Sequence, residues 1–309
     1  MISTVTINPA VDYNLSVEEI KLDKVNRVEF MSKVAAGKGI NVAKAVKNLG
    51  QKTEALGCIG GAAGEYIVEE LEEEQIASDF NWVENETRIN FKLIDNLKQE
   101  TKINQSGLPL TQEEREEIFT KVIEQEEKSD LLVLGGSLPQ DTPDDFYQRL
   151  IKALKRRDTK VFLDTSGQPL KLALEAEPTL IKPNLRELEE IWEQELSFRE
   201  AISVSQELID SGIEIVVVSL GAEGALLVGD EEVWYAKAPP VEVVSTVGAG
   251  DSMVGALAVA YTRGYSLKKM LQFAVAMSIA TILLAGSELG SLEEVERWME
   301  KVEVRQMEG

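Results

Sequence analysis

Five short aliphatic runs constrain this chain more than any other feature. They are STVTI (3–7), DLLVL (130–134), KVFLD (160–164), TLIKP (179–183) and IEIVVVSL (213–220). Runs this rich in Val, Ile and Leu read as strands buried on both faces. Between them lie segments of helical periodicity, at 40–49, 64–75, 112–126, 143–155 and 198–211. Buried strands alternating with amphipathic helices imply an α/β fold. The expected architecture is an α/β/α layer sandwich with a mostly parallel central sheet and right-handed crossovers.

Polar and glycine residues gather at the carboxyl ends of these strands. Gly135, Gly136 and Ser137 come after the second run, Asp164 ends the third, Lys182 and Asn184 come after the fourth, and Ser219, Gly221 and Gly224 after the fifth. Open α/β sheets bind ligands at the carboxyl ends of their strands. Ordinary strand-to-helix turns are the alternative. Residues 11–34 and 86–106 depart from the layered pattern: polar and apolar positions alternate, as in TRINFKLID and ETKINQSG. They predict antiparallel strands with one face in water, either a small lid or an extension of the main sheet. At 309 residues the chain is expected to form one large domain with at most a small appendage.

Charge and composition exclude several functions. The chain has 32 Lys and Arg against 54 Asp and Glu, a net charge of −22, which repels nucleic-acid backbones. An anionic substrate therefore needs a local cluster of cations or backbone amides. The chain contains no histidine. That removes the Ser-His-Asp triad and imidazole metal sites, leaves proton transfer to Asp, Glu, Lys or Tyr, and favours a hard, oxygen-bound ion such as Mg²⁺. No apolar run is long enough to span a membrane, and the opening MISTVTINPAVD carries no secretory pattern. With one cysteine, Cys58, no intrachain disulfide can form, and a cytoplasmic location is the expectation.

Two glycine-flanked motifs stand out. In VAAGKGINVAKAVKNLG (34–50), Gly37 and Gly39 flank Lys38 just before a helix. The segment reads either as a tight turn or as an anion site, where uncapped amides meet a point charge. It matches neither the P-loop nor the dinucleotide fingerprint. In STVGAGDSMVGA (245–256), Gly248, Ala249 and Gly250 precede a helix over about 251–263. Asp251 in its first turn would suit any helix N-terminus. In a chain without histidine it is also the best-placed general base.

These motifs resemble those of the PfkB, or ribokinase-like, carbohydrate kinases. The resemblance extends along nearly the whole chain through NPAVD (8–12), TRINFKL (87–93), GGSLP (135–139), DTSG (164–167), IKPNLRELE (181–189) and VSLGAEGAL (218–226), in the family's order. It implies a ribokinase-like fold spanning residues 1–309 as one kinase domain, with a β-sheet lid drawn from about 11–34 and 86–106. It further implies ATP-dependent phosphorylation of a phosphorylated ketohexose. Fructose 1-phosphate is the expected acceptor, with tagatose 6-phosphate and fructose 6-phosphate as alternatives.

By the same resemblance Asp251 is the base, and the amides of Gly248, Ala249 and Gly250 form an anion hole. Asp12 and Asn41 bind sugar hydroxyls beside the Gly37–Gly39 backbone, with Ser137 nearby. Arg27, Lys38 and Arg88 meet the sugar phosphate. Lys182 faces the ATP phosphates, and Asn184, Ser219, Gly221 and Gly224 lie along the nucleotide. Asn184 and Glu187 organise Mg²⁺ through water. A homodimer through the lid is the expected assembly. Two other readings are a sensor that has kept the fold without catalysis, and a nicotinamide-dependent oxidoreductase. Degeneration would damage the GAGD turn or the N-x-x-E segment, and both are complete; the oxidoreductase needs a glycine-rich turn where the chain has TINPAVD.

Overall fold

The computed structural model describes residues 1–97, 99–107 and 109–307. In chain order the elements begin with β1 (Ile2–Thr6), β2 (Ala10–Val17), β3 (Val28–Ala36), α1 (Lys38–Asn48), β4 (Thr53–Ile59), α2 (Gly61–Glu73) and β5 (Ala77–Trp82). Then come β6 (Arg88–Ile94), β7 (Glu100–Asn104), α3 (Gln112–Glu124), β8 (Leu131–Gly135), α4 (Phe146–Lys155), β9 (Val161–Asp164) and α5 (Gly167–Leu174). Next are β10 (Leu180–Ile181), α6 (Leu185–Trp192), α7 (Phe198–Asp210), β11 (Ile215–Ser219), β12 (Ala225–Val228) and β13 (Val233–Lys237). The chain closes with α8 (Ala249–Thr262), α9 (Leu267–Ile282), α10 (Leu292–Met299) and β14 (Glu303–Met307).

The main sheet runs β14-β13-β12-β11-β10-β9-β8-β1-β4-β5. Neighbours from β11 to β5 are parallel, as the aliphatic runs require, while β11 to β14 form an antiparallel meander. The period of two divides each strand between two cores. Leu131 and Val133 join α1, α8, α9 and α10 on one face; Leu132 and Leu134 join α3, α4 and α7 on the other. α8 is buried without a break from Ser252 to Ala260, which explains its run of small residues: GALAVA lets α8 sit close to both α1 and α9. Gly255 is the point of closest approach, since a Cβ there would lie 2.7 Å from the Cβ of Ala45.

The two alternating segments form a separate four-stranded sheet, β3-β2-β6-β7. It consists of two antiparallel hairpins joined by a parallel β2–β6 pair, rather than antiparallel pairs throughout. Both β2 and β6 leave the main body in the same direction, so they must lie parallel where they meet. Lys98, within the expected lid range, lies outside the described residues. The root of β3 is clamped to the main body: the Ala35 N–H donates to Glu70 Oε2 at 2.8 Å, the Tyr66 hydroxyl to the Lys33 carbonyl at 2.6 Å, and Lys44 pairs with Glu70. Farther out, Phe30 (63%), Met31 (54%) and Ile103 (56%) are exposed to solvent. Among the described residues no helix is long and apolar enough to cross a membrane.

Candidate active site

The Thr246–Asp251 turn stands between two cavities, the smaller of which is walled by the small sheet. On one side Thr246, Ala249 and Gly250 line a cavity of ≈ 850 Å³, together with Asn184, Ser219, Gly221 and Gly224. On the other side Val247 lines a cavity of ≈ 190 Å³ with Asp12, Asn14, Asn90, Lys92, Lys102 and Asn104. The turn takes this path because Gly248 adopts the left-handed conformation (φ 76°), which glycine reaches without a Cβ penalty. No side chain caps α8, so its first turn remains open to an anion; at α1 the Thr6 hydroxyl takes the Ile40 N–H at 3.1 Å, which leaves only the amides before it.

Asp251 and Asn41 meet across the α1–α8 seam, with the Asn41 amide donating to Asp251 Oδ2 at 2.7 Å. Burial pushes the Asp251 carboxyl above the usual carboxylate range; the Asp164 charge adds to this, and Lys38, Asn41 and Lys182 oppose it. Asp164 itself is 1% exposed at the end of β9. Its Oδ1 receives Lys38 Nζ at 3.0 Å and faces Lys182 Nζ at 3.6 Å. Burial favours neutral Lys38, yet the carboxylates of Asp164 and Asp251 outweigh it and hold the ammonium above its ordinary pKa. Asp12 accepts from the Asn90 amide at 2.8 Å, and burial raises its pKa too, against the pull of Asn90, Arg88, Lys102 and Lys92.

Of the residues expected around the sugar, Asp12 lines the smaller cavity, whereas Asn41, Asp251, the Gly37–Gly39 turn, Arg27, Arg88 and Ser137 lie outside its lining. Arg27 is exposed in the loop between β2 and β3 and makes no ion pair or hydrogen bond among the described residues. Arg88 spends its guanidinium on the carbonyls of Asn8, Pro9 and Gln105 and lies outside the smaller cavity's lining. Lys38 is held at the floor by Asp164. Ser137 is exposed near the cleft and accepts from the Asn8 amide at 3.2 Å. The cations that do line the smaller cavity are Lys92 and Lys102, directly opposite each other in the β6–β7 register. Their signal in the sequence is the alternation itself, because Asn90 and Lys92, like Lys102 and Asn104, share a face. Val275, Ile279 and Ile282 of α9 line the larger cavity, and no polar marker distinguishes them.

The donors fit magnesium only through water. Among the described residues no three Asp, Glu, Cys or His side chains converge on a metal position. Glu187 and Asn184 cap each other's backbone amides at 2.9 Å. What is left is Asp164 Oδ2, buried without a hydrogen-bond partner, and the second carboxylate oxygen of Glu187. Such acceptors suit a hydrated Mg²⁺, which gives up its waters reluctantly.

The model of the pfkB family carbohydrate kinases matches residues 3–294. The 1-phosphofructokinase of Bacillus subtilis is 37% identical over 99% of this chain and 100% of its own length. That of Borreliella burgdorferi is 36% identical over 92% of each. Phosphofructokinase-2 from Escherichia coli, solved with potassium, superposes with a TM-score of 0.93 at 32% identity, covering 97% of this chain and 98% of its own.

Proposed function

The chain belongs to the pfkB family of carbohydrate kinases, and we propose that it transfers the γ-phosphoryl group of ATP to the free terminal hydroxyl of fructose 1-phosphate. The observation that carries this reading is the Thr246–Asp251 turn, with one flank on each cavity and a carboxylate at its end. The larger cavity takes the nucleotide: its walls are mostly apolar, suited to a base, with Ser219 and the glycines toward the phosphates. The smaller one takes the sugar. A carboxylate, amides and two lysines match hydroxyls and a phosphate.

In this mechanism Asp12 and Asn41 orient the sugar, and Lys92 with Lys102 holds its phosphate. Asp251 accepts the proton of the attacking hydroxyl; a raised pKa makes it a stronger base than an ordinary carboxylate. The P–O bond to ADP breaks as the bond to the sugar oxygen forms. Charge on the transferring group meets the uncapped amides of Gly248–Gly250, the end of α8 and the Lys38 ammonium. Lys182, whose Nζ lies 3.7 Å from the Cβ position of Gly250, steadies the ATP phosphates. Bound magnesium, held through water by Asp164, Asn184 and Glu187, would neutralise phosphate charge. A second copy of the chain covers the exposed outer lid.

A coupled assay for ADP tests the reading with fructose 1-phosphate, tagatose 6-phosphate and fructose 6-phosphate in parallel. The highest kcat/KM is expected for fructose 1-phosphate. A higher value for either alternative overturns the substrate, and no ADP with any of the three overturns catalysis.

A further inference from the structure

Lys92 and Lys102 face each other across β6 and β7, an arrangement that destabilises a strand pair unless something offsets it. Glu100 supplies the offset. It precedes Lys102 by two residues on the same face of β7, with Oε1 2.6 Å from Lys92 Nζ and Oε2 3.9 Å from Lys102 Nζ. One carboxylate thus addresses both ammoniums, each through a different oxygen, as a phosphate does between two cations. The exposures differ in a telling way. The Lys92 side chain is 13% exposed, held in the cleft, while Glu100 is 39% exposed at the rim, with water to turn into.

We propose that Glu100 is an internal counter-anion that occupies the lysine pair until the substrate's phosphate displaces it. This rests on Lys92 and Lys102 being the phosphate subsite. A phosphate dianion carries more charge than the carboxylate it replaces and wins the exchange; a neutral sugar or a monoanionic sugar acid does not. Glu100 therefore adds the same displacement cost to every anion, a cost that the stronger attraction of a dianion for the lysine pair meets and that of a monoanion does not.

Glu100→Gln keeps the shape and removes the charge. It is expected to lower KM for fructose 1-phosphate about three- to tenfold, with KM for ATP as the internal reference. The Ki of inorganic phosphate, competing with the sugar phosphate, should fall in step. Glu100→Asp, which keeps the charge, should stay near the parent. A thermal-shift titration with inorganic phosphate gives the same comparison without turnover. If Glu100→Gln raises KM or leaves it unchanged while Lys102→Met raises it, Glu100 is a brace for the lysines and the proposal fails. If neither Lys92→Met nor Lys102→Met changes KM for the sugar phosphate, the subsite reading fails, and the proposal goes with it.

Discussion

Gly255→Ala adds one methyl group where α8 crosses α1. The new Cβ would stand 2.7 Å from Ala45 Cβ and 3.2 Å from the Val42 carbonyl oxygen. Optimal carbon contacts lie at about 3.5–4.0 Å, so the helices must part by about 1 Å. Ala45 and Val42 are 0% and 1% exposed, and neither neighbouring atom can swing aside. Overpacking of this kind costs about 1–3 kcal/mol, and replacing a helical Gly with Ala returns about 0.5–1 kcal/mol. A modest loss of stability remains. The catalytic loss should be larger, because Asn41 and Asp251 each sit one turn before the crossing and share the 2.7 Å hydrogen bond over the same seam. Misplacement by about 1 Å is expected to lower kcat about 10²-fold. The checks are steady-state ADP formation and a thermal melt. Ala45→Gly combined with Gly255→Ala moves the methyl group to the other side and should recover most of kcat. Full kcat in the single variant, or no recovery in the double, would refute the claim that this seam positions the base.

Asp251→Asn should lower kcat by about 10²–10⁴-fold while sugar and ATP still bind, a split read from initial rates and direct titration. Because burial holds this carboxyl above 3.8, the native state binds its proton more tightly than the unfolded chain, and stability falls as pH rises through that window. The ionised group is therefore a net cost at neutral pH. Asp251→Asn should raise Tm at pH 7.5, with the gain shrinking as pH drops toward 3.8; calorimetry showing a lower Tm at pH 7.5 contradicts the account. The same shift moves the acid limb of the kcat/KM profile above that of an ordinary aspartate. Phe30→Asp should convert a dimer to a monomer in sedimentation, and an unchanged mass would exclude the outer lid as the interface.

The central strands are legible because burial on both faces writes itself as uninterrupted Val, Ile and Leu. Lys182, Asn184, Ser219 and Gly224 are legible for a related reason: each breaks such a run at its carboxyl end, where the cleft lies. β4 escapes the pattern because Gly57 and Cys58 dilute it, and β14, EVRQM, because an edge strand needs no apolar face. α9 is apolar nearly all round, so its periodicity gives no face and its contribution to the larger cavity stays hidden. The cations of the lid are visible in the sequence, but their partners are not. Which of Arg27, Arg88, Lys92 and Lys102 share a cavity depends on cross-strand register, and register is set by contacts far apart in sequence.

On the proposed function, Asp164 answers to two lysines with different tasks, Lys38 toward the transferring phosphoryl group and Lys182 toward the ATP phosphates. An anion that draws one of them away leaves the other a larger share of the same negative charge. On that reading, an anion bound by one lysine is felt by the other through the shared carboxylate, without any movement of the backbone. Thermodynamic linkage makes that communication symmetric: the factor by which nucleotide changes the Kd of the sugar phosphate equals the factor by which the sugar phosphate changes that of nucleotide.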